Sequence, residues 1–465
     1  MNLIYKDLFE KSENITIYTN KLEKINELKI QKKIYYPHIY STNNINYIYF
    51  RYDKDPTFIE GEYIQRFKIN CDLSIKEDKD FYLELGNASH NFRFFNLNNI
   101  NYGIGGQHCS FKNFEKKKTN NKIYLEYNRN TTFINTSKYN INNKVIGNKI
   151  FDHTKECPYF SNGLHLFEFL NNNLINYSIK NNKLPIIHGL KNGRSDKHTN
   201  ISIFDCSPSI LYDNKNKLYY LYHRANVNTG IRNIQYCTSS DLINWSNFKL
   251  IKLDNMIDIN KKNIYYTNFF KIQHIKQNIA ILPINDKFGN NYKALSEEGV
   301  LSLYYSNEFN QWKYVGDLNK FKYHNEWLIL GSPIIKNNNF YFYNVKNDTN
   351  IIELYKIPQN RLSYAMSNNN NLISKILFKP FILKNNKIII NFKTSKNGFL
   401  KFQLLDNKKN ILNNYSYDNF NLINENIDCY NYELLFHNNS LIECNNQEIY
   451  LQLEGKNFEL YSIDF

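Results

Sequence analysis

Carboxylates, imidazoles and guanidinium groups occur at particular points of this 465-residue chain. Asp205 stands in Phe204-Asp205-Cys206-Ser207-Pro208, just before a run of apolar and aromatic residues that reads as a strand, and Glu298 stands in Ser296-Glu297-Glu298-Gly299, where another strand begins. A carboxyl group can hand over a proton or steady a developing positive charge, and two in unlike surroundings can divide the acid and base roles. His90, Asn91, Arg93, His108, His223, Arg224 and Arg232 supply the other polar groups of interest. Asp286 and Glu326 are further acids, read as solvated loop residues. The seven cysteines include no Cys-x-x-Cys pair, so reduced thiols are expected, and neither a metal nor a cofactor.

An internal repeat indicates what positions these groups. Leu166-Phe167-Glu168 leads to Tyr177, Gln235-Tyr236-Cys237 leads through Ser239-Ser240-Asp241 to Trp245, and Ser302-Leu303-Tyr304-Tyr305 leads to Trp312. The three aromatic ends lie 68 and 67 residues apart, the mark of one repeated unit. Ser207-Pro208-Ser209-Ile210 and Ser332-Pro333-Ile334-Ile335, each followed by an aromatic strand, repeat in phase. Short strands broken by Asn- and Asp-rich turns predict an all-β chain whose units form the blades of a β-propeller. Only Leu22, Ile25 and Leu28 carry a helical spacing. After residue 375, Leu400, Phe402 and Leu404 alternate with Lys401 and Gln403, as in a two-sheet sandwich. The expected organisation is an N-terminal extension over 1–80 that packs on or completes the propeller, the propeller over 81–370, and a small β-sandwich over 375–465.

Composition narrows the partners. Hydrophobic residues make up 42% and charged residues 22%, and no stretch is long and apolar enough for a membrane span. The charged N-terminal residues do not form a signal peptide, which predicts an intracellular protein with no membrane partner. The net charge of +15 rests on 50 lysines and only eight arginines, and the lysines are diffuse rather than gathered in a basic stripe. A nucleic-acid partner is therefore not expected. A bias toward A/T-rich codons accounts for the abundance of Lys, Asn, Ile, Tyr and Phe.

Phe204 to Asp213, Tyr220-Leu221-Tyr222-His223-Arg224, Gly230-Ile231-Arg232 and Ser239-Ser240-Asp241-Leu242-Ile243-Asn244-Trp245 together resemble the second blade of five-bladed propeller glycoside hydrolases near families 32 and 43. His90-Asn91-Phe92-Arg93 with Gly103-Ile104-Gly105-Gly106 resembles the first blade, and Gly398 to Asp406 with the terminal Glu459 to Phe465 resembles the sandwich that follows. The resemblance spans about residues 85 to 465. It implies a five-bladed propeller, a carbohydrate ligand, and Asp205 as the carboxylate that orients the sugar and stabilises an oxocarbenium-like transition state.

Glycosidic hydrolysis ordinarily uses two carboxyl groups flanking the scissile bond. Where the family's first blade carries a nucleophilic Asp, this chain has Ser89-His90-Asn91-Phe92-Arg93, and no acid opens the third blade at Asn263 to Asn268. Gly331 stands where the following blade would have a Glu. Glu298 is the first choice for the missing partner. Two roles are open for Arg93: holding a carboxylate-bearing sugar, or pairing with Asp205. A glycosidase is expected, with a carbohydrate-binding or structural propeller that has lost its acids as the rival.

Overall fold

The computed structural model describes residues 1–30, 34–53, 62–83, 85, 89, 91–107, 114–119, 122–127, 138–140, 145–146, 149–150, 163–170, 172, 174–181, 186–187, 206–228, 231–254, 262–264, 266–286, 298–322, 329–345, 350–369, 372–437 and 441–465. Asparagine shapes much of the local structure. Asn43 and Asn44, Asn98 and Asn99, and Asn337 and Asn338 are pairs with φ between 46° and 64°, each closing a two-residue hairpin. Such turns need positive φ at both central positions, and asparagine tolerates it better than other side chains.

These hairpins are the inner turns of antiparallel blades arranged as a five-bladed propeller. Blade I has the strands Tyr35–Thr42, Ile45–Asp53, Glu62–Ile69 and Ile75–Glu77; blade II has Arg93–Leu97, Ile100–Gln107, Gly163–Phe169 and Tyr177–Ile179. Blade III comprises Ser209–Asp213, Leu218–Asn228, Ile231–Ser239 and Lys249–Leu250. In blade IV, Lys262–Ile264 and Phe269–Lys271 both pair with Asn278–Asp286, followed by Glu298–Glu308 and Gln311–Lys322. Blade V has Ile329–Leu330 and Ile334–Lys336 against Asn339–Val345, then Ile351–Pro358, and takes its outermost strand, Glu23–Lys29, from the start of the chain.

That outermost strand corrects the helical reading of Leu22, Ile25 and Leu28. The spacing of three is incidental: Ile25 is 42% exposed, and the segment is held by its backbone ladder to Ile351–Pro358. Lys24 also reaches the buried carboxylate of Glu353 at 2.6 Å.

The hydrophobic core is divided among the interfaces between neighbouring blades. Tyr49 of blade I packs with Phe94 and Phe167 of blade II, and Ile104 and Leu164 of blade II pack with Leu221 and Trp245 of blade III. Tyr222 of blade III meets Phe269 and Trp312 of blade IV; Ile279 and Leu303 of blade IV meet Phe340 and Phe342 of blade V; and Tyr341 and Tyr343 of blade V meet Ile48 and Phe50 of blade I, closing the ring. Both faces of a blade are covered, which is why its middle strands read as continuous apolar and aromatic runs.

The periodic aromatics occupy one position in three successive blades. Tyr177, Trp245 and Trp312 all lie where the third strand gives way to the fourth. The indoles of Trp245 and Trp312 both donate to the carbonyl three residues back, Leu242 O at 2.8 Å and Phe309 O at 3.2 Å.

Beyond the propeller, two 17-residue strands, Ile389–Leu405 and Glu448–Asp464, run antiparallel and anchor a nine-stranded sheet. Phe9–Glu13 and Ile15–Thr19 from the N-terminus join it. Its strands enclose a separate core that includes Ile390, Phe402, Leu404, Leu451 and Leu453. Where sequence alternation predicts two sheets, the ladders of the described strands form one connected network.

Candidate functional site

In an antiparallel blade the start of the innermost strand and the connection between the second and third strands fall at the same end. That end of the channel gathers the first residues of the inner strands together with Asn226, Arg232, Asn285 and Glu298. The aromatic turns at Tyr177, Trp245 and Trp312 lie at the opposite end.

Arg93 ties three inner strands together. Its Nη1 donates to Pro208 O at 3.2 Å and Ser209 Oγ at 2.8 Å on blade III, and its Nη2 donates to Ser332 Oγ at 3.4 Å on blade V. Burial lowers its pKa, with the nearby Tyr266 and Cys206 acting in the opposite sense. The side chain keeps partial solvent access. Asn91, two residues earlier, is buried with φ 56°, so the left-handed turn into this strand accounts for its residue type.

The rest of the belt comes from blades I, III, IV and V. Tyr266 donates to Pro37 O at 3.3 Å and stacks on Tyr36 with ring centroids 5.7 Å apart. Burial pushes its phenol up to about 12. Tyr36 has φ 48°, a strained value for a bulky residue, and the guanidinium of Arg51 lies 5.1 Å from its ring. Thr267 donates to Ser207 O and lies 3.4 Å from Cys206 Sγ, while Asn268 Nδ2 faces Gly331 O at 3.5 Å.

His38 is 2% exposed, and burial, followed by the charge of Arg93, holds its pKa well below the ordinary imidazole value. It is therefore neutral. Its Nε2 accepts the Phe94 N–H at 3.3 Å, which leaves the ring proton on Nδ1. That atom has no hydrogen-bond partner among the described residues, and neither has Asn268 Oδ1.

The remaining expected site residues are dispersed. His223 and Arg224 lie fully buried on the second strand of blade III. Arg232 opens the third strand, its backbone N–H donating to Asn263 Oδ1 at 2.8 Å, and Asn263 in turn donates to Asn285 Oδ1 at 3.0 Å. Glu298 begins the third strand of blade IV with its side chain 72% exposed, 3.9 Å from Lys320 Nζ. The glycine after it answers a packing need, since a Cβ on Gly299 would lie 2.5 Å from the Phe321 ring. Tyr222, beside His223, is buried against Phe269 with ring centroids 4.1 Å apart. Asp205, His90, His108 and Glu326 lie outside the described residues, as does the side chain of Asp286. No cluster of metal-ligating side chains occurs among the described residues.

Neither His38 nor Ser332 was among the site residues expected from sequence. A signal existed: Tyr36-Pro37-His38-Ile39 places a proline and an isoleucine as Ser207-Pro208-Ser209-Ile210 does, and Ser332-Pro333-Ile334-Ile335 repeats them again.

No protein-family profile matches the sequence, and no curated protein matches it. Among solved structures the chain is similar to an N-acetylgalactosamine deacetylase from F. plautii in complex with blood group B trisaccharide, at 8% identity and TM-score 0.41, over 75% of this chain and 97% of that one. It is also similar to a glycoside hydrolase family 43 arabinoxylan arabinofuranohydrolase from Bacillus subtilis in complex with cellotetraose, at 10% identity and TM-score 0.33, over 94% and 96% of the two chains. A family 32 β-fructofuranosidase from Bombyx mori aligns at 7% identity and TM-score 0.35, over 94% and 92%.

Proposed function

We propose that this chain acts on the glycosidic bonds of an oligosaccharide at the channel end where the innermost strands begin, with Asp205 as its channel carboxylate. The observation that carries the reading is the convergence of polar inner-strand groups from all five blades, with Arg93 bonded across blades II, III and V. Asp205 precedes the inner strand Ser209–Asp213 by four residues. Hydrolysis needs a second carboxyl group to donate a proton or activate water. Glu298 is proposed for that role because it lies at the same end of its blade, although its exposure beside Lys320 gives it a solvated setting.

A specific observation favours a second reading. Among the described residues at the opening ends of the innermost strands there is no carboxylate, as suits a propeller that binds a saccharide without cleaving it. Reducing-end release from a panel of oligosaccharides separates the two. The hydrolytic reading expects turnover by the native protein, a loss of orders of magnitude in Asp205→Asn with the fold intact, and a comparable loss in Glu298→Gln. Saccharide binding without turnover would leave the binding reading, and full turnover by Asp205→Asn would remove Asp205 from the mechanism.

A further inference from the structure

We propose that Arg93 anchors an oxyanion site, so that the saccharide held in the channel carries a carboxylate or phosphate group; this rests on the reading of the channel as a saccharide site. The charge of Arg93 is met differently from that of two buried arginines. Arg66 and Arg361, 8% and 5% exposed, hold the carboxylates of Asp78 at 2.7 Å and Asp428 at 2.5 Å. Arg93 has only neutral acceptors among the described residues: one carbonyl and two hydroxyls. Tyr266 does not supply a counter-charge, because its hydroxyl is committed to Pro37 O and burial keeps it protonated. A guanidinium held among neutral acceptors and only partly open to solvent lacks a counter-charge, and an incoming anion supplies it.

The geometry of the bonds already made sets the shape of what is missing. Nη1 and Nη2 make these bonds, and Nε–H has no hydrogen-bond partner among the described residues. Nε–H and the Nη–H beside it form one edge of the planar group, the fork that takes two oxygens of a carboxylate or phosphate. Blade I holds a further donor, on a ring that accepts the backbone N–H of the residue next to Arg93. His38 is 2% exposed and neutral, its charge suppressed in part by Arg93, and its Nδ1–H has no partner among the described residues. A neutral sugar hydroxyl would satisfy one donor and leave the charge unmet; an oxyanion satisfies the fork and the charge together.

Calorimetry on the full chain with D-glucuronate, inorganic phosphate and D-glucose tests this at low and high salt. Glucuronate or phosphate should bind roughly tenfold or more tighter than glucose, in keeping with charge-assisted hydrogen bonds, and added salt should weaken it. Arg93→Gln should remove the preference, and Arg93→Lys, which keeps the charge and loses the fork, should retain only part of it. Binding of glucuronate assigns the anion to a sugar acid; binding of phosphate alone assigns it to a phosphate group. The proposal falls if neither anion is preferred over glucose in the native protein, a result independent of whether any variant folds, or if Arg93→Gln keeps the preference. Anion binding that arises only in Asp205→Asn would make Asp205 the partner of Arg93 and would also overturn it. Turnover of neutral glycans without anion preference would remove this inference and leave the proposed function standing, whereas anion binding without turnover of any glycan would do the reverse.

Discussion

Replacing Trp312 by alanine should be among the most damaging single changes to the propeller. The indole is 1% exposed at the interface of blades III and IV, edge-on to Phe269 at 4.8 Å and to Tyr222 at 5.9 Å, rings that are themselves stacked at 4.1 Å. Truncating a buried Trp costs about 3–5 kcal/mol in lost burial and residual cavity. The upper half of that range is expected, because two aromatic pairs are broken and the flanking strands are fixed by their ladders. No unpaired carbonyl adds to it, since Phe309 O, which accepts the indole N–H, also accepts the Tyr222 hydroxyl at 2.6 Å. A loss of about 4 kcal/mol is a large share of the roughly 5–15 kcal/mol that holds a typical domain folded. Urea unfolding followed by near-ultraviolet circular dichroism should show the midpoint falling steeply. Trp245→Ala, at a turn and 8% exposed, should cost less. A loss under about 1 kcal/mol for Trp312→Ala, or a larger loss for Trp245→Ala, would refute the reasoning that this ring joins the two blades.

Two other outcomes follow from local geometry. A Cβ on Gly103 would lie 2.1 Å from Phe92 Cζ and 2.9 Å from the Phe169 ring, so Gly103→Ala should destabilise by about 1–3 kcal/mol through overpacking, read as a lowered urea midpoint. Asp241 has a burial penalty that raises its pKa, outweighed by hydrogen bonds from Asn244, Ile243 and Ser239 that bring it down to about 2 from 3.8. Its contribution to stability is therefore complete above pH 4 and is lost as pH falls toward 2; with the side chain exposed it amounts to under about 1 kcal/mol, and Asp241→Asn should flatten that part of a stability–pH curve.

Much of the fold was legible because its repeat is carried by large buried side chains. Trp245 and Trp312 must fill equivalent gaps between blades, so their spacing reports the architecture directly. The strand Glu23–Lys29 was not legible: pairing through backbone at an outer edge requires no alternating pattern, and Leu22, Ile25 and Leu28 mimic a helical stripe. Blade I was obscured because Tyr47 and Tyr49 face blade II while Ile48 and Phe50 face blade V, erasing the polar face that marks a half-buried strand. At the site, Arg93 was visible as one of eight arginines, but its partners Ser209 and Ser332 lie 116 and 239 residues away and come together only on ring closure. The glycine after Glu298 serves packing, since it admits the Phe321 ring.

The central claim is that the saccharide sits where the innermost strands open around Arg93. Hydrogen–deuterium exchange of the full chain, with and without an oligosaccharide that it binds or cleaves, measures this directly. The account expects slowed exchange in 206–211 and 266–269, with the aromatic turns at Trp245 and Trp312 unchanged. Protection confined to those turns or to the nine-stranded C-terminal sheet, with the inner-strand openings unaltered, would contradict it.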